Sequence, residues 1–235
     1  MTLTQRESDG SVAAIAMESS LGSTEFYFPQ ALRGDAQNTT RILVWNPGSG
    51  SVDASVRFFT QAGEQEEIRM VTLSEKATEE IILGGPDAPL TVGWVQITAD
   101  GPILSTAFYS VEIDGAALPP VAVLPVKGSQ GWSGAGDVSD LVNTGFSLAN
   151  IGPDAADCTL QAYTGINGRS VGSTTIQLPP RIQTARFLSQ MMPGLPNPYQ
   201  GSFSLNCEGG RVVPVALTQR TVDNAIVAVS MSPIP

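Results

Sequence analysis

The chain repeats one sequence pattern, and this duplication restricts its fold more than any other feature. Segment 42–48 (ILVWNPG) returns as 146–152 (FSLANIG), at an offset of 104 positions. Segment 56–60 (VRFFT) matches 160–164 (LQAYT) at the same offset, and four later segment pairs keep offsets between 105 and 109. Six matched blocks in 235 residues indicate two copies of one domain. Duplicated units of this size usually extend, bind or assemble, so the pattern favours a structural role over a catalytic one.

The composition and the spacing of turn residues predict an all-β fold. Charged residues make up 14% of the chain, whereas 24 glycines and 17 prolines are present. Strand-like runs follow at intervals of roughly ten residues, separated by turn residues such as 46–48 (NPG) and 84–87 (GGPD). We therefore expect two antiparallel β-sandwiches. Segment 184–192 (TARFLSQMM) is a helical candidate, and the first copy has a matching segment at 78–83.

The repeat also predicts the domain boundaries. Residues 1–24 precede the first repeat block and form an arm or an edge strand. Domain one is predicted at 25–126 and domain two at 138–235, with a linker rich in Gly and Ser at 127–137. Trp132, inside this linker, is expected to pack against a domain.

Motifs in both copies are similar to those of a known repeat family. Domain one has 28–30 (FPQ), a strand ending in Asn-Pro, 56–59 (VRFF) and 93–95 (GWV); domain two has 144–150 (TGFSLAN), 178–180 (LPP), 187–196 (FLSQMMPGLP) and 200–203 (QGSF). Over residues 26–235 the chain resembles immunoglobulin-like β-sandwich repeats from secreted and cell-surface proteins of environmental bacteria. The resemblance implies two tandem immunoglobulin-like antiparallel β-sandwich domains that act as extracellular modules without a catalytic signature.

Both cysteines lie in the second copy. The alternation of apolar and polar residues around them turns Cys158 and Cys207 inward. The repeat register places Ala54 and Ala99 at the matching positions of the first copy, so the two sites differ together. We predict a disulfide between Cys158 and Cys207, with two separate buried thiols as the alternative.

A disulfide would indicate an oxidising compartment. No basic stretch followed by an apolar core is visible at the amino terminus, which fits either a cytosolic protein or a mature secreted chain without its leader. The cysteine pair favours the second account, so we expect an extracellular or cell-surface location. No apolar run in the sequence approaches the roughly 20 residues that span a bilayer.

Residue types disfavour several classes of function. The chain has no His, which removes Ser–His–Asp and Cys–His catalytic sets and the commonest zinc ligand. Its net charge of −10 disfavours a nucleic-acid partner. No phosphate-binding loop or nucleophile motif is recognisable. We therefore expect a protein that is not an enzyme and that uses no cofactor or metal.

Clusters of acidic residues are the remaining candidates for chemistry. Carboxylate pairs could support glycoside hydrolysis, and closely spaced oxygen ligands could bind calcium. We interpret the glutamates as surface charges and the aspartates as residues of exposed turns: Glu64, Glu66, Glu67, Glu79 and Glu80, and Asp137, Asp140, Asp154 and Asp157.

Aromatic residues of domain one form a candidate interaction surface. Strand alternation turns one set of side chains toward the core: Ile42, Val44, Val56, Phe58, Val95 and Ile97. Trp45, Phe59 and Trp94 then point outward, where they could contact another subunit or stack on sugar rings. The alternative is that another part of the chain covers them.

The amino-terminal arm contains a short apolar segment, with Val12, Ala14, Ile15 and Met17 as candidate strand residues. Donated to a neighbouring subunit, this strand would complete a sheet edge, and repeated head-to-tail contacts would produce a filament. The alternative is the first strand of its own domain.

Together these features predict a non-enzymatic extracellular structural or adhesion protein that self-associates, as in a surface layer or filament. The alternative is a pair of carbohydrate-binding modules that bind a polysaccharide through the aromatic surface of domain one.

Overall fold

The computed structural model describes residues 2–5, 12–15, 22–35, 37–113, 115–165, 167–229 and 231–234. The chain divides into two compact units. Domain one comprises Met1–Thr60 with Glu64–Lys127, and domain two comprises Gln61–Gly63 with Gly128–Pro235. The predicted all-β fold is confirmed, since the strands of both units pair in antiparallel sheets.

Domain one contains eleven described strands: β1 Thr2–Gln5, β2 Val12–Ile15, β3 Ser23–Arg33, β4 Thr39–Trp45, β5 Val52–Thr60, β6 Gln65–Leu73, β7 Thr78–Ile82, β8 Thr91–Ser110, β9 Glu112–Ile113, β10 Ala116–Ala117 and β11 Val121–Val123. The 20-residue strand β8 takes part in two sheets. Its first half lies between β5 and β3, with β6 at the edge beyond β5. Its second half lies between β4 and β11, with β7 at the edge beyond β4. We call these sheet one and sheet two of the domain.

The core of domain one is built from the inward faces of these two sheets. Every second residue of the central strands is apolar, and the six residues predicted to face inward are at most 1% exposed: Ile42, Val44, Val56, Phe58, Val95 and Ile97. Phe26 and Phe28 of β3 are buried with them. Burial of each such side chain stabilises the fold by about 1.5–3 kcal/mol, so strand alternation determines which face of each sheet becomes the core.

Domain two repeats this arrangement with strands β12 Gly131–Val138, β13 Val142–Asn150, β14 Ala156–Thr164, β15 Ser170–Leu178, β16 Gln183–Phe187, β17 Tyr199–Gly209, β18 Val212–Arg220, β19 Ile226–Val229 and β20 Met231–Pro233, and with a one-turn helix, α1 Leu188–Met191. Its nine strands form one continuous sheet, because β12 pairs with β13 at Val138 and Asn143. On one side of this junction, sheet one has the order β15-β14-β17-β12-β20, and on the other side, sheet two has the order β16-β13-β18-β19. Strand β14 pairs with β15 as β5 pairs with β6 in domain one, and β16 pairs with β13 as β7 pairs with β4.

A buried asparagine closes the end of the repeated fold in domain one. Asn46 is 0% exposed and follows directly after β4. Its side-chain amide donates to the carbonyl oxygens of Gly50 (2.6 Å), Leu73 (3.1 Å) and Ser74 (3.0 Å). Its Oδ1 accepts the backbone N–H of Gly48 at 2.8 Å. One side chain therefore hydrogen-bonds the backbone of the turn after β4 and the backbone at the end of β6.

Domain two has the same hydrogen-bond network around Asn150, the residue that matches Asn46. Asn150 is also 0% exposed and donates to the carbonyl oxygens of Asp154 (2.7 Å), Leu178 (3.0 Å) and Pro179 (3.2 Å). Its Oδ1 accepts the N–H of Gly152 at 3.0 Å. The repeat therefore conserves a hydrogen-bond network as well as a strand order.

We expect Asn46→Ala and Asn150→Ala to lower the stability of domain one and domain two, respectively, by about 3 kcal/mol each, because three carbonyls lose their donor. Native-state hydrogen exchange read by mass spectrometry would report the opening free energy of each domain separately. Asn206→Ala is the control, since Asn206 is exposed on β17. If domain-two peptides were equally protected from hydrogen exchange in the Asn150→Ala and Asn206→Ala variants, the stabilising role assigned to the Asn150 hydrogen bonds would be contradicted.

The predicted linker at 127–137 is incorrect from Gly131 onward. Strand β12 begins there and pairs with β17 along its whole length. A Cβ atom at Gly134 would lie 2.5 Å from the Phe203 ring, so the glycine makes room for a core aromatic side chain. Trp132 in the same strand is 3% exposed, as expected for packing against a domain. A high Gly and Ser content indicated a linker, whereas the close approach of two strands explains the glycines.

The helical prediction at 184–192 holds for one turn. Strand β16 extends to Phe187 and pairs with β13, and α1 follows at Leu188–Met191. The matching segment of domain one is strand β7. Pairing with the neighbouring strand therefore outweighs local helix propensity in both copies.

The arm forms strand structure, although in a pairing that we did not predict. Val12–Ile15 pairs with Thr2–Gln5 in a separate two-stranded antiparallel sheet, in which Val12 lies opposite Gln5. Met17 lies outside the described residues. Donation of the segment to a neighbouring subunit stays a prediction.

Candidate interaction surface

The outer face of sheet two in domain one carries the most exposed aromatic side chain of the predicted surface. Trp45, at the end of β4, is 36% exposed and lies opposite Leu104 of β8. Leu43, two residues earlier on the same face, is half-buried, as is Leu104. Ile82 of β7, on the same side of the sheet, is 49% exposed. Ile82 lies opposite Arg41, so the Arg41–Glu80 ion pair separates it from Trp45, and we call Trp45, Leu43 and Leu104 the Trp45 face.

Charged groups border the Trp45 face on the side of β7. Arg41 Nη1 lies 3.2 Å from Glu80 Oε1, and both side chains are well exposed. The Arg41 guanidinium also lies over the Phe108 ring, 5.6 Å from its centroid. An apolar centre with a polar border is the usual composition of a protein–protein contact.

Phe59 and Trp94 are buried, which corrects the predicted outward aromatic surface. They lie opposite each other on β5 and β8, and their rings stack with centroids 4.2 Å apart and planes inclined by 11°. Phe59 is 5% exposed and Trp94 is 3% exposed. The predicted alternation is right, because both lie on the face opposite to Phe58 and Val95. That face is nevertheless buried within the chain, which agrees with the alternative that another part of the chain covers these aromatic residues.

Trp45 is also separated from the other two aromatic residues by the layer structure of the domain. Trp45 belongs to sheet two, whereas Phe59 and Trp94 belong to sheet one. The three side chains therefore do not form one surface. Linear sequence order does not reveal this separation, because β4 and β5 follow each other along the chain but pair in different sheets.

The positions in domain two that match the Trp45 face carry small, buried residues. Ser147 and Ala149 correspond to Leu43 and Trp45 at the repeat offset, and they are 2% and 0% exposed. Val213, which lies opposite Ala149 on β18, is 0% exposed. This end of the repeated sheet is therefore covered in domain two and open in domain one.

The opposite end of the same sheet in domain two presents two exposed apolar side chains. Leu141 directly precedes β13 and is 67% exposed, and Val222 follows β18 and is 75% exposed. The Thr221 N–H donates to the Leu141 carbonyl at 2.8 Å, which holds the two turns side by side. We call Leu141 and Val222 the Leu141 tip. Strand periodicity does not point to these two residues, although an apolar residue inside a polar turn is a signal that does.

Of the glutamates considered for glycoside hydrolysis and interpreted as surface charges, four are exposed and one is largely buried and paired with arginines. Glu67 is the exception to the predicted solvent exposure, with a side chain that is 9% exposed. Its carboxylate lies 2.8 Å from Arg33 Nε and 2.7 Å from Arg69 Nε, and it accepts the N–H of Gly84 at 3.1 Å. Such a carboxylate joins three segments of the fold. Glu64, Glu66, Glu79 and Glu80 are exposed, as predicted.

Two tyrosines have displaced pKa values, and both are explained by packing. Burial in the core of domain one raises the pKa of the Tyr109 phenol. Burial also raises the pKa of Tyr199, whose hydroxyl donates to the carbonyl of Ser202 at 2.7 Å. Among the described residues, no group of three or more Cys, Asp or Glu side chains is arranged to hold a metal ion.

The predicted disulfide joins two neighbouring strands of sheet one in domain two. Cys158 of β14 lies directly opposite Cys207 of β17, with Cα atoms 4.0 Å apart. Ala54 and Ala99 lie directly opposite each other at the matching place in domain one. The register derived from the repeat is therefore correct at both cysteine sites.

No family model matches this chain, and no curated protein matches it. The solved structures to which it is similar include the crystal structure of Thermotoga maritima 1070, which is 11% identical over 46% of this chain and 96% of the other, with a TM-score of 0.37. In the parts of the chain that the structure describes, no helix has both the length and the apolar character required to cross a membrane.

Proposed function

We propose that this protein is a non-enzymatic extracellular structural or adhesion protein built from two immunoglobulin-like domains, and that it self-associates. The observation that supports the proposal most directly is the Trp45 face, an open apolar surface on a domain whose copy covers the same place. An exposed tryptophan beside two half-buried leucines, with charged groups at the border, has the composition of a protein contact.

The disulfide supports an extracellular location, because such bonds form and persist in oxidising compartments. Three buried polar side chains with several hydrogen bonds or ion pairs each support a structural role. Asn46 and Asn150 use their hydrogen-bonding groups to close turns, and Glu67 joins three segments. These groups are occupied in holding the fold.

Two of the three aromatic side chains that the carbohydrate-binding alternative requires are inaccessible to a ligand. A sugar ring stacks on an accessible aromatic face, and Phe59 and Trp94 are buried. Trp45 is then the remaining ring of the proposed site. Self-association is the better supported function.

Analytical ultracentrifugation of the purified full chain, over a wide concentration range, tests the proposal together with negative-stain microscopy. We expect the mean mass to rise with concentration and extended assemblies to appear. A variant lacking residues 1–20 tests the donated strand, which predicts folded monomers that no longer associate. A full chain that stays monomeric and is retarded by polysaccharide in an affinity gel would instead favour the carbohydrate-binding alternative.

A further inference from the structure

We propose that Asn167 is a modification site, at which the side-chain amide is converted to a carboxylate through a cyclic imide formed with the backbone nitrogen of Gly168. The site lies in the turn between β14, which ends at Thr164, and β15, which begins at Ser170. Water is the only co-reactant that the conversion requires. This reactivity is a property of the turn itself and is independent of self-association.

The residue that follows Asn167 has no side chain. Asn167-Gly168 is the one Asn-Gly pair in the sequence, and every other asparagine precedes a larger residue. A side chain on the following residue obstructs the approach of its backbone nitrogen to the amide carbon, and glycine removes this obstacle. A Cβ atom at Gly168 would have no neighbour within 4 Å, so the space beside the attacking residue is open.

The turn exposes the Asn167 amide and also polarises it. Asn167, Gly168 and Arg169 are all exposed. The Thr164 hydroxyl and the Arg169 N–H both donate to Asn167 Oδ1, the second over 3.2 Å. Attack on the amide carbon places negative charge on this oxygen. The two donors therefore face the atom on which charge develops, as the donors of an oxyanion hole do in acyl transfer.

The attacking nitrogen becomes available through a local opening of the turn. The Gly168 N–H donates to the Thr164 carbonyl at 3.1 Å, and this bond must open before the nitrogen can turn toward the side chain. In an exposed turn water replaces such a bond at a net cost of about 1 kcal/mol. Local opening of this kind is far less costly than unfolding of the domain, so folded domain two can react.

The conversion releases ammonia and consumes one water molecule. The Gly168 nitrogen loses its proton to hydroxide and bonds to the amide carbon of Asn167, and the bond from that carbon to Nδ2 breaks as the nitrogen leaves as ammonia. Water then opens the imide at one of its two carbonyls. One opening gives aspartate, and the other gives isoaspartate, in which the backbone passes through the former side chain. Either product adds a negative charge to the turn.

Incubation of the purified full chain at mildly alkaline pH, followed by peptide mapping by mass spectrometry, tests the site. We expect the peptide that contains Asn167 to gain the mass difference between O and NH, and to do so faster as the pH rises, because the nitrogen must lose its proton. Isoaspartyl methyltransferase with labelled S-adenosylmethionine should label the same peptide. Asn206, which is exposed on β17 and precedes Cys207, is the internal control and should keep its amide.

Two variants test the assigned roles. Gly168→Ala should react at least about tenfold more slowly, because a Cβ atom obstructs the attack. Gly168 has a φ of +64°, so Gly168→Asp replaces this variant if thermal unfolding shows that alanine disturbs domain two. Thr164→Val removes one donor to Oδ1 and should react about fivefold more slowly, the effect of one net hydrogen bond.

Three results would overturn the proposal in whole or in part. An Asn167 amide that stays intact in the folded protein, while the urea-unfolded chain is converted, would show that the fold protects it. Equal rates for the wild type and the Gly168 variant would exclude the imide route. A Thr164→Val variant that reacts as fast as the wild type would overturn the polarising role of the hydroxyl.

Discussion

Trp94→Ala is expected to lower the stability of domain one by about 4 kcal/mol, because it removes a buried aromatic side chain and leaves a cavity. Trp94 is 3% exposed and stacks on Phe59, so the neighbouring ring also loses its partner. Trp45→Ala should cost about 1 kcal/mol or less, since that side chain already contacts water. Hydrogen exchange of domain-one peptides in each variant measures both free energies.

Trp94→Phe is the matched control for this result. It retains a ring that can stack on Phe59, so we expect it to lose less than half of the stability that Trp94→Ala loses. Domain two should keep its protection in all three variants. If Trp45→Ala and Trp94→Ala destabilised domain one equally, the assigned difference between a covered and an open aromatic residue would be wrong.

Replacement of both cysteines by alanine is expected to lower the stability of domain two by about 4 kcal/mol, the chain-entropy value for a loop of about 50 residues. Cys158 and Cys207 are 49 positions apart, and their bond restricts the unfolded chain over that length. Domain one carries Ala54 and Ala99 at the matching positions, so the repeated fold accommodates the alanine pair. Protection of domain-two peptides should fall while that of domain-one peptides stays unchanged.

The reciprocal variant, Ala54→Cys with Ala99→Cys, tests the same register by gain of a bond. The two residues lie directly opposite each other, so oxidation should close a disulfide and stabilise domain one. Intact mass after alkylation counts the free thiols. Two alkylated thiols in the native oxidised protein would contradict the disulfide of domain two, and four in the variant would contradict both.

The duplication, the all-β fold, the core residues and the cysteine pair could all be predicted from sequence. Each depends on local periodicity or on a fixed offset along the chain. Alternation placed Phe58 and Val95 in the core because successive side chains of a strand point to opposite faces. The offset matched Cys158 and Cys207 to Ala54 and Ala99, which predicted the pair, and the structure places the two residues of each pair directly opposite each other.

Only the tertiary structure determined which outward faces are covered. Alternation assigns Phe59, Trp94 and Trp45 to faces away from the core, but burial depends on what packs over each sheet, and this information is not local. The same reason explains β12, where glycines that resembled a linker admit the Phe203 ring of a neighbouring strand. It also explains Glu67, whose partner Arg33 becomes close only when β3 has taken its place in the fold.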